Sequence, residues 1–410
     1  MIITRRQMLK SLLASAGLCL TGLGRHGWAL AAEAPQTQRM VFILMRGAVD
    51  GLSIVTPYKE NYYYNARPNI ALAAPGYSGG LTDLDGTFGL HPSLASMLPL
   101  WQNRTLAFIQ ASGSPAETRS HFEAQDIMET ALLNSALARQ GWMNSLTQAL
   151  PDNHAPTRAL SVGNVLPKIF QGTANISSMP TAIRPNGGGP VENPQLEDEF
   201  GKLYQSNGAL NGLYKQAVTA RAEMMQDLQS EMESAGQGAP VGDAFTQQSI
   251  KVGDMMRNDP RIQLVFMDAG GWDTHVGQGN DKGQLANKLE KFGQGLVALA
   301  QGLGPAYQNT VILVMSEFGR TVAENGNKGT DHGHGNVAWM FGGGVSGGKV
   351  YSRWPGLNPQ QLWEGRDLAV TTDFRSIIGT VAANHFGLAE DTVGRIIPNY
   401  KADPLIQNIV

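Results

Sequence analysis

Short runs of consecutive apolar residues recur along the chain and predict buried β-strands. Four of them lie at residues 40–45, 105–109, 262–267 and 311–315, and a fifth, at 337–341, lies between glycine-rich loops. Continuous rather than alternating hydrophobicity is typical of strands that are covered on both faces. The pattern therefore predicts an α/β fold with a mainly parallel central sheet flanked by helices.

Apolar residues at helical spacing predict the helices that cover this sheet. The spacing is clearest at residues 285–303, between the third and fourth strands, where a crossover helix is expected. Two further helices are predicted at 121–138 and 374–386. Residues 192–256 are polar, rich in Met and Gln and also helical in pattern. They predict a helical insertion or cap within one α/β domain at residues 33–410.

Polar residues of chemical interest follow the predicted strands. Because ligands of open α/β sheets bind beyond the carboxyl ends of the strands, we expect these residues to converge. The candidate metal ligands are Asp50 after the first strand, Asp273 and His275 after the third, Glu317 after the fourth, and His332 and His334 before the fifth. Carboxylates and neutral imidazoles without thiolates favour Zn, Mn or Fe. We expect one or two divalent ions, Zn or Mn first, since two ions could clamp the attacking and leaving oxygens of a displacement.

Simpler structural roles exist for several of these residues. Asp50 precedes a glycine and could be an ordinary turn residue, and Asp273 with His275 could form a turn with a hydrogen-bonded histidine. Glu317 and Arg320 could form a structural ion pair. The local sequence leaves these alternatives open, but the convergence of several loops favours a common site.

A candidate nucleophile follows the second predicted strand. Ser120 stands where a helix begins, so it is either an N-cap or an activated hydroxyl. A helix N-terminus with Arg119 nearby would suit attack on an anionic ester. The candidates for holding the anionic group are Arg46, Arg119 and Arg320.

The N-terminal residues predict export. Residues 1–32 combine a basic start, a short apolar stretch and an Ala-rich end, which are the parts of a secretory signal. The pair Arg5-Arg6 favours the twin-arginine route, with the Tat translocon as a transient partner. Arg25 and His26 cut the apolar stretch short of the roughly 20 residues that span a bilayer, so we expect no stable membrane anchor. The predicted location is periplasmic or secreted.

Cysteine and charge narrow the function classes. Cys19, within the predicted signal, is the only cysteine, so disulfides, zinc–thiolate sites and cysteine nucleophiles are excluded from the mature chain. The whole chain has a net charge of −3, and the predicted signal removes basic residues only. We therefore expect no nucleic-acid partner.

The motifs, in their order, resemble those of the bacterial "domain of unknown function 1501" proteins. They are RGAVDGL, FGLHPSL, TRSHFEAQDIMET, GGWDTH, SEFGRT, DHGHG and GGGVSGGKVYSRWPGL, and they cover essentially the whole mature chain. That family in turn resembles the alkaline phosphatase and sulfatase superfamily, which implies an alkaline-phosphatase-like fold and a metal-dependent site.

The resemblance also implies roles for individual residues. Asp50 matches the metal aspartate after the first strand, Ser120 is nearest to the nucleophile, and Asp273 with His275 resembles a later metal pair. His332 or His334 resembles the last metal histidine, completing the implied set. One departure concerns Glu317, which is followed by Phe318 where the superfamily has a second ligand, a histidine.

Two functions are compatible with these features. The first is an exported metal-dependent hydrolase of phosphate or sulfate esters, acting on a small anionic ester or a surface polymer. The alternative is a non-catalytic periplasmic binding protein that reuses the alkaline-phosphatase-like fold.

Overall fold

The described residues build a nine-stranded sheet from the apolar runs of the sequence. The structure is a computed structural model that describes residues 37–151, 155, 157–163, 165–180 and 244–410. Its strands are β1 (Arg39–Met45), β2 (Val55–Thr56), β3 (Thr82–Asp83), β4 (Gly89–Leu90), β5 (Leu106–Gly113), β6 (Ala159–Val162), β7 (Ser177–Met179), β8 (Leu264–Ala269), β9 (Thr310–Ser316), β10 (Asn336–Phe341), β11 (Lys349–Tyr351) and β12 (Thr372–Asp373). The order in the large sheet is β11-β5-β10-β9-β1-β8-β6-β7, with β12 also paired to β5, and β2, β4 and β3 form a small second sheet.

Most neighbouring strands of the large sheet are parallel. β1 pairs in parallel with β8 and with β9, and β6 and β7 continue the parallel order beyond β8. β10 is antiparallel to both β5 and β9. No helix crosses the sheet between β9 and β10, so the chain returns from the same edge in the opposite direction. The predicted α/β class with a mainly parallel sheet is confirmed.

Helices cover both faces of the large sheet. The α-helices of the described residues are α1 (Gly51–Ile54), α2 (Asn61–Ala66), α3 (Leu98–Gln102), α4 (His121–Thr130), α5 (Trp142–Ala149), α6 (Ala244–Asn258), α7 (Gln284–Leu303), α8 (Phe374–Thr380) and α9 (Glu390–Ile396). Val41 and Ile43 of β1 share a buried cluster with side chains of α6 and α7, whereas Met40 and Phe42 share one with α4, α5 and α8. Alternate residues of β1 therefore face opposite layers, which is why the strand has an unbroken apolar sequence.

The predicted helices differ from the observed ones mainly at their ends. The helix predicted at 285–303 is α7. The one predicted at 121–138 is too long, because α4 ends where Ala131 takes a left-handed conformation with φ 58°. The one predicted at 374–386 consists of α8 followed by a π-helical turn, Val381–His385.

Two predicted segments lie wholly or largely outside the described residues. These are the signal at 1–32 and most of the insertion at 192–256. The end of the insertion falls within α6, where Val252 and Met256 are buried in the cluster shared with α7. Among the described residues, no helix has both the length and the apolar character needed to cross a bilayer.

Candidate metal centre

Three loops bring ligand atoms together at the carboxyl edge of the sheet. His121 begins α4, Asp273 follows β8 and His332 precedes β10, and one nitrogen or oxygen of each lies within 4.8 Å of the others. The Nε2 atoms of His121 and His332 are 2.9 Å apart. Asp273 Oδ1 lies 3.4 Å from His332 Nε2 and 3.8 Å from His121 Nε2. His275 joins them, with its Nε2 2.9 Å from Asp273 Oδ1 and 3.1 Å from His332 Nε2.

The other ring nitrogen of each histidine contacts an oxygen that can only accept a hydrogen bond. The three contacts are His121 Nδ1 to Glu317 Oε1 (2.8 Å), His275 Nδ1 to Asp331 Oδ1 (3.1 Å) and His332 Nδ1 to the Arg119 carbonyl oxygen (3.0 Å). In a neutral imidazole the proton must then be on Nδ1, and Nε2 carries a lone pair. The Nε2 lone pairs of His121, His275 and His332 therefore lie 3.8, 2.9 and 3.4 Å from Asp273 Oδ1.

A divalent cation fits this donor set. Zn²⁺ binds imidazole nitrogen and carboxylate oxygen at about 2.0–2.2 Å in a tetrahedral site, which places neighbouring ligand atoms about 3.3 Å apart. The Nε2–Nε2 distances of 2.9 and 3.1 Å are close to that value. Burial above all, together with the positive charge of Arg320, holds the pKa of His332 below its ordinary value. Its ring is therefore neutral at neutral pH, as a metal ligand must be.

Glu317 lies behind His121 rather than among the ligand atoms. Its buried carboxylate accepts hydrogen bonds from His121, from the Gln125 side chain (3.0 Å) and from the Gly47 N–H (2.8 Å). Burial alone would raise the pKa of Glu317, but these hydrogen bonds hold it below the usual value. A carboxylate in this position fixes the imidazole tautomer and makes the ring a stronger ligand.

Arg320 is a buried cation that lies beside the cluster. Its fully buried guanidinium donates to Asp273 Oδ1 (2.5 Å) and to the carbonyls of Gly47 (2.7 Å) and Thr330 (3.1 Å). Burial would raise the pKa of Asp273, but the hydrogen bond and charge of Arg320 outweigh it and lower that pKa. Because all three nitrogens of Arg320 contact protein acceptors, including the Ala48 carbonyl, the residue is better placed to position Asp273 than to hold an anion.

Two of the predicted ligands lie elsewhere. Asp50 is fully buried and accepts hydrogen bonds from Arg67 (2.6 and 3.0 Å), Ser53 (2.6 Å) and Gln278 (2.7 Å). Its carboxylate is therefore neutralised by protein donors and does not face the imidazoles. His334 is also buried, and its ring stacks on Trp363 with centroids 4.9 Å apart. Neither is brought to the cluster of His121, Asp273 and His332.

Ser120 and Arg119 flank the cluster at the start of α4. Ser120 is exposed and makes no side-chain cap hydrogen bond, while the Thr118 hydroxyl donates to Glu123 at 2.7 Å. The capping alternative for Ser120 is thus not used. Arg119 pairs with Glu364 (2.5 Å) and Asp367 (2.9 Å), and its carbonyl accepts from His332.

His121 is not among the ligands predicted from the sequence. His121 follows Ser120 directly at the start of the helix. Its hydrogen bond to Glu317 joins residues 196 positions apart, and the local sequence does not show it. Asp331, which orients His275, was also missed, although it stands beside His332 in the DHGHG motif. A histidine at the first position of a helix that begins at the carboxyl edge is the signal that could have found the ligand.

A comparison with family models places this site within a known family. The model described as "Protein of unknown function (DUF1501)" matches residues 37–398. The chain belongs to the DUF1501 family. All residues of the candidate metal centre of this DUF1501 protein lie within the match, and the family predicted from its motifs is confirmed. No curated protein matches the chain in sequence.

Several solved structures are similar to this DUF1501 chain at low identity. One is the crystal structure of Ps i-CgsB in complex with k-i-k-neocarrahexaose, with 13% identity and a TM-score of 0.40, covering 87% of this chain and 74% of that one. Another is the C-terminal periplasmic domain of EcEptC from Escherichia coli in complex with Zn, with 10% identity and a TM-score of 0.36, covering 76% and 74%. Similarity at this level does not identify a substrate or a reaction.

Proposed function

We propose that the protein is an exported metal-dependent hydrolase of phosphate or sulfate esters with an alkaline-phosphatase-like fold. The observation that carries the proposal is the convergence of imidazole Nε2 lone pairs on the Asp273 carboxylate, each imidazole being oriented by an acceptor behind it. His121, Asp273 and His332 would bind the ion, with His275 as the fourth ligand. Zn is favoured because the ligand atoms are imidazole nitrogens and a carboxylate oxygen, and Asp273 Oδ1 lies 2.9–3.8 Å from the three nitrogens.

One ion per chain is the stoichiometry that the geometry supports best. Carboxylates that could bind a second ion are already neutralised, Asp50 by Arg67 and Glu317 by several hydrogen-bond donors. Arg320, permanently charged, occupies the space beside Asp273.

Ser120 is the proposed nucleophile. When bound, the ion would supply a Lewis acid that polarises the phosphoryl or sulfuryl oxygen. The Ser120 oxygen would form the bond to phosphorus or sulfur, the ester alcohol would leave with the serine proton, and water would then hydrolyse the seryl ester. Arg119 is the candidate for holding the anionic group, since its partner Glu364 is exposed.

Location and partners follow from the N-terminal sequence. The predicted Tat signal supports export of the folded chain to the periplasm or beyond, where the substrate would be a small anionic ester or a surface polymer.

Metal analysis joined to an ester assay tests the proposal. Purified protein should contain about one Zn or Mn per chain and should hydrolyse an aryl phosphate or an aryl sulfate. Asp273→Ala should lose both properties, whereas Ser120→Ala should keep the metal and lose hydrolysis. Folded wild-type protein that takes up no ion from metal-containing buffer would refute the proposal.

A binding protein is the second candidate, and the environment of Arg320 favours it. A guanidinium with all three nitrogens bound to protein oxygens has little capacity left to stabilise the charge that develops during ester hydrolysis, which a binding protein does not need. Metal-loaded protein that hydrolyses neither ester but retains an anionic polysaccharide would support this candidate.

A further inference from the structure

We infer that Asp367 is a positioning residue of the proposed metal centre and acts on His332 through two arginines. The inference rests on the proposed metal site and adds a residue that touches no ligand atom. The inference follows from a difference among the three histidines, namely which kind of group accepts the hydrogen bond from Nδ1.

His332 is the histidine whose Nδ1 lacks a carboxylate acceptor. Glu317 and Asp331 accept directly from the other two rings, whereas His332 donates to the main-chain carbonyl of Arg119 at 3.0 Å. A main-chain carbonyl can fix the orientation of a ring only if the segment that carries the carbonyl is itself fixed in position. The residues that fix the position of the Arg119 segment therefore matter for this ligand.

Asp367 binds Arg119 and also Arg366, a second residue that contacts His332. Its Oδ2 accepts from Arg119 Nη2 at 2.9 Å. Both of its oxygens accept from Arg366, at 2.9 Å each, and Arg366 Nη2 donates in turn to the His332 carbonyl at 2.8 Å. One carboxylate thus connects to His332 at two points, the ring nitrogen through Arg119 and the main chain through Arg366.

Asp367 itself is held rigidly. Its side chain is fully buried, and its main chain exchanges hydrogen bonds with Trp363 at 2.8 and 3.0 Å. It also forms a β-bridge with Thr321, whose N–H donates to the carbonyl of Asp331, next to His332. A buried acceptor of fixed position transmits its geometry to the arginines that it binds.

Glu364 provides a matched comparison. It pairs with the same nitrogen of Arg119 at 2.5 Å, but its side chain is 55% exposed and it has no hydrogen bond to Arg366 among those described. Removing Glu364 deletes one carboxylate from Arg119 and leaves the contacts of Asp367 intact. Comparing variants of Asp367 and Glu364 therefore distinguishes the positioning of His332 from the neutralisation of the Arg119 charge.

The experiment measures Zn²⁺ affinity by chelator competition in the full-length protein and in three variants. Asp367→Asn should lower the affinity about 10–100-fold, the range for residues that orient metal ligands. Arg366→Ala removes the contact to the His332 carbonyl and the two hydrogen bonds to Asp367 but leaves Asp367 bound to Arg119, so it should lower the affinity less, by about tenfold. Glu364→Gln should stay within about twofold of wild type, as expected for an exposed pair.

Two controls make the outcome decisive. The Co²⁺-substituted protein should show an altered visible spectrum in Asp367→Asn but not in Glu364→Gln, a change that loss of stability alone does not cause. If Asp367→Asn fails to fold, the affinity of Arg366→Ala tests the inference instead. The Arg366 side chain is 43% exposed, so its removal should be tolerated by the fold. Equal affinities of Arg366→Ala and Glu364→Gln, or of Asp367→Asn and Glu364→Gln, would overturn the inference while wild-type metal binding stands. Wild-type protein without metal would overturn the proposed function as well.

Discussion

Two clusters of polar side chains lie at the same edge of the sheet, and they differ in what neutralises their carboxylates. In the candidate metal centre, Asp273 faces three imidazole nitrogens and a single guanidinium, and its side chain is 45% exposed. In the second cluster, Asp50 is fully buried and receives four hydrogen bonds, two of them from Arg67. In the first cluster, the acceptor lone pairs of the imidazoles and the carboxylate outnumber the hydrogen-bond donors. In the second cluster, each oxygen of the Asp50 carboxylate accepts a hydrogen bond.

This difference distinguishes the candidate binding site from the buried residues that support it. Gln278 donates to Asp50 and accepts from Thr274 (2.8 Å) and Thr330 (2.9 Å), which adjoin the ligand loops. Arg67 donates to the carbonyls of residues 321 and 322 in the same region. The buried ion pair thus ties the two ligand loops together, while the exposed carboxylate remains available to an ion.

Removing a ligand should produce the largest effect. His332→Ala takes away the nitrogen nearest to both other imidazoles, and metal content should fall from about one ion per chain to below detection, an affinity loss above about 100-fold. The measurement is elemental analysis after gel filtration. His334→Phe is the matched control, because the new ring can keep the stack on Trp363 and the metal content should not change. Equal metal contents in the two variants would show that the imidazole cluster is not the site.

The buried pair should respond in stability rather than in metal content. Asp50→Ala leaves the fully buried Arg67 without its counter-charge, and the free energy of unfolding should drop by about 3–5 kcal/mol, measured by denaturant titration of the metal-free protein. The folded fraction should still bind one ion. The double variant Asp50→Leu/Arg67→Met should be more stable than Asp50→Ala, since no unpaired charge remains. Loss of metal with unchanged stability would instead make Asp50 a ligand.

The sequence predicted the fold better than the site, for a physical reason. Strands β1, β8 and β9 follow from unbroken apolar runs, and the loops at their carboxyl ends follow from the parallel arrangement. Local patterns also selected Asp273, His275 and His332 among the cluster residues. They could not show that Asp50 meets Arg67 and Gln278, 17 and 228 positions away, because the neutralisation of a carboxylate is a tertiary property.

Buried His91 extends the comparison to histidine and predicts a pH dependence. Its Nδ1 accepts from the Ser93 N–H (3.1 Å) and its Nε2 contacts the Asn280 carbonyl (2.9 Å), so both nitrogens are used. Burial lowers the pKa of His91 to about 4, against 6.5 for an unperturbed histidine. The unfolded chain therefore binds a proton first, and stability should fall between about pH 6.5 and 4 by about 3 kcal/mol.

The variant that checks this is His91→Asn. Asparagine can still accept from Ser93 at this N-cap but cannot take up a proton. Unfolding titrations at pH 7, 5.5 and 4.5 should show a shallower loss of stability in the variant than in wild type. Parallel pH profiles would mean that the folded chain admits the charged imidazole at this position.

The smallest effect is expected at Asp331, and it tests how burial sets the strength of an orienting carboxylate. Asp331 accepts from His275 at 3.1 Å with its side chain 55% exposed, whereas Glu317 accepts from His121 at 2.8 Å and is fully buried. Water can replace an exposed acceptor, so Asp331→Asn should weaken Zn²⁺ binding about tenfold and Glu317→Gln about 100-fold, the two ends of the usual range. Chelator competition measures both. A larger loss in Asp331→Asn would mean that His275 contributes more to the ion than His121, and that exposure does not limit its support.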